Sequence, residues 1–359
     1  MIKFFFKFIR TTKFRLFSFL FVFGLIALTV IYQNVQYISQ DPIPKIEQVD
    51  AKTQKLATNI SVGCHIFNFP EFSFEKKSFI IDAIIWFKFP ASSTDLSCID
   101  QFTIQSSFMQ ENGELQYRSA PIINRLNSDV VVSYHVQTSF TSVFNFKYFP
   151  ISDHTLNIII QNRNVTPEEI CFNTSSDNFL FSQNMFNSWV VKDTKVSTGF
   201  MRSKLLLSNP VLDVTYPVAI FSINFEQKGF NNLFSLYFPL FVIFFIALFS
   251  LFFEIDDTQR IANIVAIAPS LVLFKLIISS IAPDVAYLTH IDYMFYGLVF
   301  LSTCILLFQM YATLLLQSVK KLPEGEQESL KEALRRKNDL LFIFNIFFLI
   351  FLISWCTFK

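Results

Sequence analysis

Arg260-Ile-Ala-Asn-Ile-Val-Ala-Ile-Ala-Pro-Ser-Leu-Val-Leu-Phe-Lys-Leu-Ile-Ile-Ser-Ser-Ile-Ala-Pro283 decides how this chain is read. As a helix the run is long enough to cross a bilayer. Yet it carries Lys275 in its interior. A charge at membrane depth costs about 2.5–3.5 kcal/mol on insertion scales, so Lys275 must face protein or water rather than lipid. The segment is therefore one helix of a bundle, not an isolated anchor.

Three more apolar runs accompany it, at 233–253, 293–316 and 340–358, so residues 231–359 form a four-span transmembrane domain. The connection 317–339 holds Lys320, Lys321, Lys331, Arg335, Arg336 and Lys337, and its basic excess places it in the cytoplasm. Glu328, Lys331, Glu332, Arg335 and Arg336 recur at helical spacing, which predicts a solvated helix leading into the last span. At the other end, Lys3, Lys7, Arg10, Lys13 and Arg15 precede the apolar residues 16–32. Residues 1–35 therefore read as either a signal peptide or an uncleaved anchor with its basic end in the cytoplasm.

Between these membrane segments, residues 36–230 are patterned as strands. Phe79–Phe89 alternates, and so does Val218–Glu226, with Ala219, Phe221, Ile223 and Phe225 on one face and Ser222, Asn224 and Glu226 on the other. Turn signals separate such runs at Asn112-Gly113, Pro150, Pro167 and Asn209-Pro210. Many short strands over this length predict a β-sandwich, exported if the basic segments stay inside. Asn59, Asn164 and Asn173 lie in glycosylation sequons, which matter only in a eukaryotic setting.

The whole chain has 359 residues, is 52% hydrophobic, carries net charge +1 and has mean hydropathy +0.43. That balance argues for no nucleic acid partner. Phenylalanine, at 48 residues against 7 glycines, is read as lipid-facing and core filler and excludes flexible linkers. Cys304 and Cys356 sit in apolar runs as packing residues, and Cys64, Cys98 and Cys171 lie in the β half. One Cys64–Cys98 disulfide is compatible with the sequence. His65, His135, His154 and His290 are scattered without ligand spacing, and there is no nucleophile elbow, phosphate loop or zinc motif. The sequence thus predicts no enzyme activity, cofactor or metal.

Several short motifs, in order, give the chain a family likeness. They are Ser119-Ala-Pro121 with Asn124; Phe149-Pro-Ile-Ser-Asp-His154 followed by Thr-Leu-Asn-Ile-Ile-Ile; Pro239 inside the first span; Arg260 at the start of the second; and Pro283-Asp-Val-Ala-Tyr-Leu-Thr289 before Ile291-Asp292. Over residues 50–358 the chain resembles the pentameric ligand-gated ion channels, the superfamily of the Cys-loop receptors. The resemblance implies a homopentamer in a bacterial inner membrane or eukaryotic plasma membrane, its ectodomain outside. A small-molecule ligand bound there would gate the passage of inorganic ions.

It also implies roles for particular residues. Trp86, Phe87, Tyr117, Tyr134 and Tyr216 fall near the family's aromatic ligand pocket between subunits, although aromatic residues are abundant everywhere here; Trp189 reads as core. One helical face of the second span, Ala262, Ala266, Pro269, Leu273, Leu276 or Ile277, and Ser280, would line the pore, with Lys275 turned away. Glu254, Asp256 and Asp257 stand at the expected cytoplasmic mouth, opposed by Arg260, or are an ordinary charged flank. Coupling would run through Pro150, Ser152, Asp153, Lys228, Pro283 and Asp284.

The chain departs from the family in places. The disulfide that names the superfamily would fall on Ser142 and Leu156, so the chain is nearer the prokaryotic-like branch. The junction Asp falls on Ser152 beside Asp153, and the basic residue before the first span is replaced by Glu226-Gln227-Lys228. An anchor would be additional to the usual four spans. The almost wholly apolar pore face also suits a different class, a non-conducting membrane-anchored binding or interaction protein with the same fold.

Overall fold

The computed structural model describes residues 11–36, 39–48, 57–74, 76–92, 96–105, 114–151, 153–181, 189–204, 213–227, 231–255, 257–319 and 323–358. Its contacts divide the chain into a β unit, residues 38–145 and 152–228, and a helical unit comprising residues 1–37, 146–151 and 229–359. The short stretch 146–151 interrupts the β half in sequence but groups with the helices.

The described residues of the β unit form two sheets. One holds β1 (Thr58–Ser73), β2 (Ser78–Pro90), β4 (Glu114–Arg118), β5 (Ile122–Leu126), β6 (Asp129–Thr141), β8 (Ile170–Asn173) and β9 (Phe179–Phe181). Its order is β4-β6-β2-β1-β8, with β5 also on β6 and β9 also on β1. The other runs β10-β11-β7-β3, from Trp189–Lys204, Asp213–Gln227, His154–Gln161 and Thr103–Gln105. Along β2 and β6 buried and half-buried residues alternate strictly, because one face meets the core and the other the surface. The inner faces meet ring to ring, Phe72 to Phe225 at 5.2 Å and Phe179 to Phe221 at 5.1 Å.

Cys64 and Cys98 are both free, so the compatible disulfide does not form here. Cys64 is wholly buried on β1, and burial pushes its thiol up to about 12, which keeps it protonated and inert. Cys98 sits apart, on the single helical turn Leu96–Ile99.

Among the described residues, five long helices build the other unit: α1 (Thr12–Gln36), α2 (Asn231–Ser250), α3 (Thr258–Ile281), α4 (His290–Val319) and α5 (Glu324–Phe358). The last four are long and apolar enough to cross a membrane, which fits an integral membrane protein. The charged stretch before the last span is helical, as expected, and is continuous with it. It is only partly solvated: Leu334 is buried with Ile255 and Ala312. Gly297 of α4 lies where an added Cβ would overlap Leu352, so its bare backbone allows α5 to pack close.

One buried polar network ties four helices. Arg15 of α1 pairs with Asp339 of α5 at 2.6 Å, and its other terminal nitrogen donates to the Leu251 carbonyl beyond α2. Asn338 donates to the same carbonyl and accepts from Arg260 of α3. Arg260, read from sequence beside the expected cytoplasmic mouth, is thereby fully buried and faces the bundle. Asp257, the other charge expected at that mouth, caps α3 by accepting from the Gln259 amide. Asp256 lies outside the described residues, and Glu254 is exposed.

Candidate functional site

The second span has two unlike faces. Arg260, Ile264, Ile267, Leu271, Phe274 and Ile278 follow each other at three- and four-residue steps and are buried against the rest of the bundle. Ala262, Ala266, Pro269, Leu273, Leu276, Ile277 and Ser280 all lie on the exposed side. Leu273 and Leu276 are 62% and 63% exposed, which is unusual for residues so apolar unless lipid or another copy covers them. Of the four candidate spans this one is least buried within its own chain, 28% against 56% for the first. Pro269 lacks the N–H that would bond the Val265 carbonyl, and Ser270 Oγ donates to the Ala266 carbonyl beside it.

Lys275 turns from that face toward α4. Its Nζ is 2.6 Å from Asp292 Oδ1 and lies over the Phe295 and Tyr296 rings at 5.5 and 5.4 Å. Asp292 also accepts from the Thr289 amide and hydroxyl. Half-buried Lys275 thus has a carboxylate and two aromatic faces as its partners.

Residues 146–151 sit over the start of α4. Tyr287 Oη accepts from the Phe146 amide, Lys147 and Phe149 carbonyls accept from the His290 and Ile291 amides, and Pro150 is buried after a cis bond. Pro283 is buried and Asp284 exposed. Ser152 and Lys228, both expected at this junction, lie outside the described residues. Asp153 lies 3.9 Å from Lys192. Burial pushes its carboxyl up to about 6; Glu226 pushes it the same way, while Lys192 and His154 oppose.

The five aromatic residues singled out from sequence are not gathered in one place. Phe87 and Tyr134 are core residues on the inner face of the larger sheet, 6.2 Å apart, because strand alternation turns them inward. Tyr216 is buried in a different cluster with Ile159, Val218 and Ile220 of the other sheet. Trp86, one residue from Phe87, is on the outer face, lying over Gly63, where any side chain would collide with it. Tyr117 is exposed, 5.7 Å from His135, which pairs with Asp82 on the neighbouring strand. Trp189, expected in the core, is half-buried against Phe74 at 4.3 Å.

Sequence reasoning missed Arg118, just ahead of Ser119-Ala-Pro121. Its guanidinium lies 4.4 Å above both the Phe102 and Tyr134 rings and is held by the Asp100 carboxylate at 2.6 Å. This aromatic pair is already occupied by a cation of the chain itself. The Tyr134 hydroxyl is pushed up to about 12, chiefly by burial and then by Asp100, so it stays protonated. Among the described residues no group of three His, Cys, Asp or Glu side chains could hold a metal ion.

No protein-family model matches the chain, and no curated protein matches it.

Proposed function

We propose that the chain is one subunit of a pentameric ligand-gated ion channel. The observation that carries this reading is the apolar face of α3, left uncovered by its own chain and holding every residue assigned to the pore. One such helix cannot enclose a pore; five around an axis can. Apolar rings at Leu273, Leu276 and Ile277 would close it by dewetting. In this reading the β unit is an external sandwich, and a small molecule bound between subunits biases the closed–open equilibrium through residues 146–151. Because Arg118 fills the inner aromatic pair, the outer-face residues Trp86 and Tyr117 are the better candidates for ligand contact.

The same reading makes α1 a retained membrane anchor with its basic end in the cytoplasm. Two features support it: the buried Arg15–Asp339 pair, and apolar crevices of about 360 and 280 Å³ along the α1–α2 seam, whose lining suits hydrocarbon.

The test is ion flux from liposomes holding purified protein, together with its mass in mild detergent. A pentamer with flux supports the channel. A stable monomer would sink it. A pentamer without flux favours the second reading, a non-conducting binding protein, which the scarcity of polar residues on the α3 face supports.

A further inference from the structure

We propose that Asp41 is a non-covalent staple that closes the base of the 146–151 loop, a positioning residue for the coupling assigned above. This inference rests on that reading only for its functional consequence. The family resemblance puts a disulfide at the base of this loop, and the chain has Ser142 and Leu156 there, so nothing covalent holds it.

Asp41 comes from a segment remote in sequence, ahead of β1. Its Oδ1 accepts from the Asn145 amide at 2.6 Å, where the chain enters the loop. Its Oδ2 accepts from the Thr155 amide at 2.8 Å, where the chain leaves it. His154 Nδ1 lies 3.1 Å from Oδ2, and Ser39 Oγ donates to Oδ2 at 3.0 Å. The Asp41 and His154 side chains are 2% and 1% exposed. Phe74 and Phe144 lie against the imidazole at 4.9 and 5.0 Å and keep water out. Hydrogen bonds to a buried carboxylate are about twice as strong as neutral ones. One side chain so placed fixes both ends of the loop at once, and the closure it enforces would otherwise cost chain entropy.

Asparagine is the discriminating substitution. It keeps the shape of Asp41, but both carboxylate oxygens accept backbone N–H groups. Either orientation of the amide therefore sets its NH2 against one of those donors. Single-amide hydrogen exchange on the full-length protein in detergent reads the result. In Asp41→Asn the Asn145 and Thr155 amides should exchange about tenfold faster, with a smaller rise at Phe149 and Ile151. The β2–β6 ladder, for example Ile85 and Val136, should be unchanged.

Parent-like protection at Asn145 and Thr155 would overturn the staple. So would a uniform rise across both sheets, which would make Asp41 a general stability residue. If Asp41→Asn does not accumulate, Ser39→Ala is read at the same two amides; a rise there supports the staple and parent-like exchange opposes it. Resting K+ and Cl− flux from liposomes separates this inference from the functional reading. Altered exchange with unaltered flux leaves the staple in place and removes the loop from gating.

Discussion

Asp153 is a carboxyl whose fold prefers the proton. Its pKa in the folded protein is raised to about 6, so between the ordinary carboxylate range and pH 6 the native state binds more protons than the unfolded one. Stability therefore falls as pH rises through that window. Asp153→Asn should raise the thermal midpoint at pH 7 and flatten its dependence between pH 4 and 6, followed by thermal unfolding in detergent. A variant with the parent's pH slope would refute the assignment. Arg15 and Asp339 present the opposite case, two charges that need each other. Asp339→Ala takes the carboxylate from beside a buried guanidinium and should cost about 3–5 kcal/mol, whereas Arg15→Leu with Asp339→Leu should recover most of it. A double-mutant cycle with no coupling energy would show that α1 does not depend on the pair. Neither this pair nor the Asp41 cluster was legible in the sequence. Arg15 and Asp339 are 324 residues apart and Asp41 and His154 are 113 apart, so no local pattern announces either meeting. Lys275 was half legible: its charge demanded a partner, but nothing in the run pointed to Asp292.

Elements declared themselves best where one periodicity ruled. Alternation in Phe79–Phe89 and Val218–Glu226 marks β2 and β11, and the first three apolar runs mark α2 to α4 to within a few residues, while the last marks only the C-terminal part of α5. The largest extension is α5, which starts at Glu324, because its early charged turns also bury Leu334, Asn338 and Asp339. Aromatic positions were harder to read. In a chain with 48 Phe, a one-residue step from Trp86 to Phe87 moves a ring from the outer face to the core, and composition does not say which is which. On α3 the exposed face yields a test at the level of the helix. Leu273→Ser adds a hydroxyl in the outer half without disturbing the buried stripe of Ile264, Leu271 and Ile278. If the pore closes by dewetting, resting conductance should rise several-fold in lipid bilayers. Protein that assembles as the parent does yet passes no more current removes this face from any conducting pore.

For the whole molecule, the proposed channel requires the β unit outside and the basic segments inside. Basic residues cluster twice, at the N-terminal end and between 320 and 337. In the proposed topology the four spans place an even number of crossings between the β unit and the C-terminal end, so both would fall on one side and the 320–337 segment on the other. If α1 also crosses, the N-terminal basic end joins the 320–337 segment, and both clusters then satisfy the positive-inside rule together. If α1 lies along the membrane or is removed, the segment 320–337 alone sets the orientation, with the same result for the β unit. On the proposed reading both fates of α1 therefore give the β unit the same side, and the test of orientation is separate from the test of α1. An impermeant thiol reagent applied to sealed cells should label Arg125→Cys on exposed β5 and spare Gly325→Cys at the start of α5 until the membrane is opened. Labelling of both positions in sealed cells would overturn the orientation. A mature N-terminus beyond Gln36, read by mass spectrometry, would remove α1 alone. It would also take Arg15 from the pair, so replacing Asp339 by Asn should cost a cleaved chain less stability than it costs the full-length one.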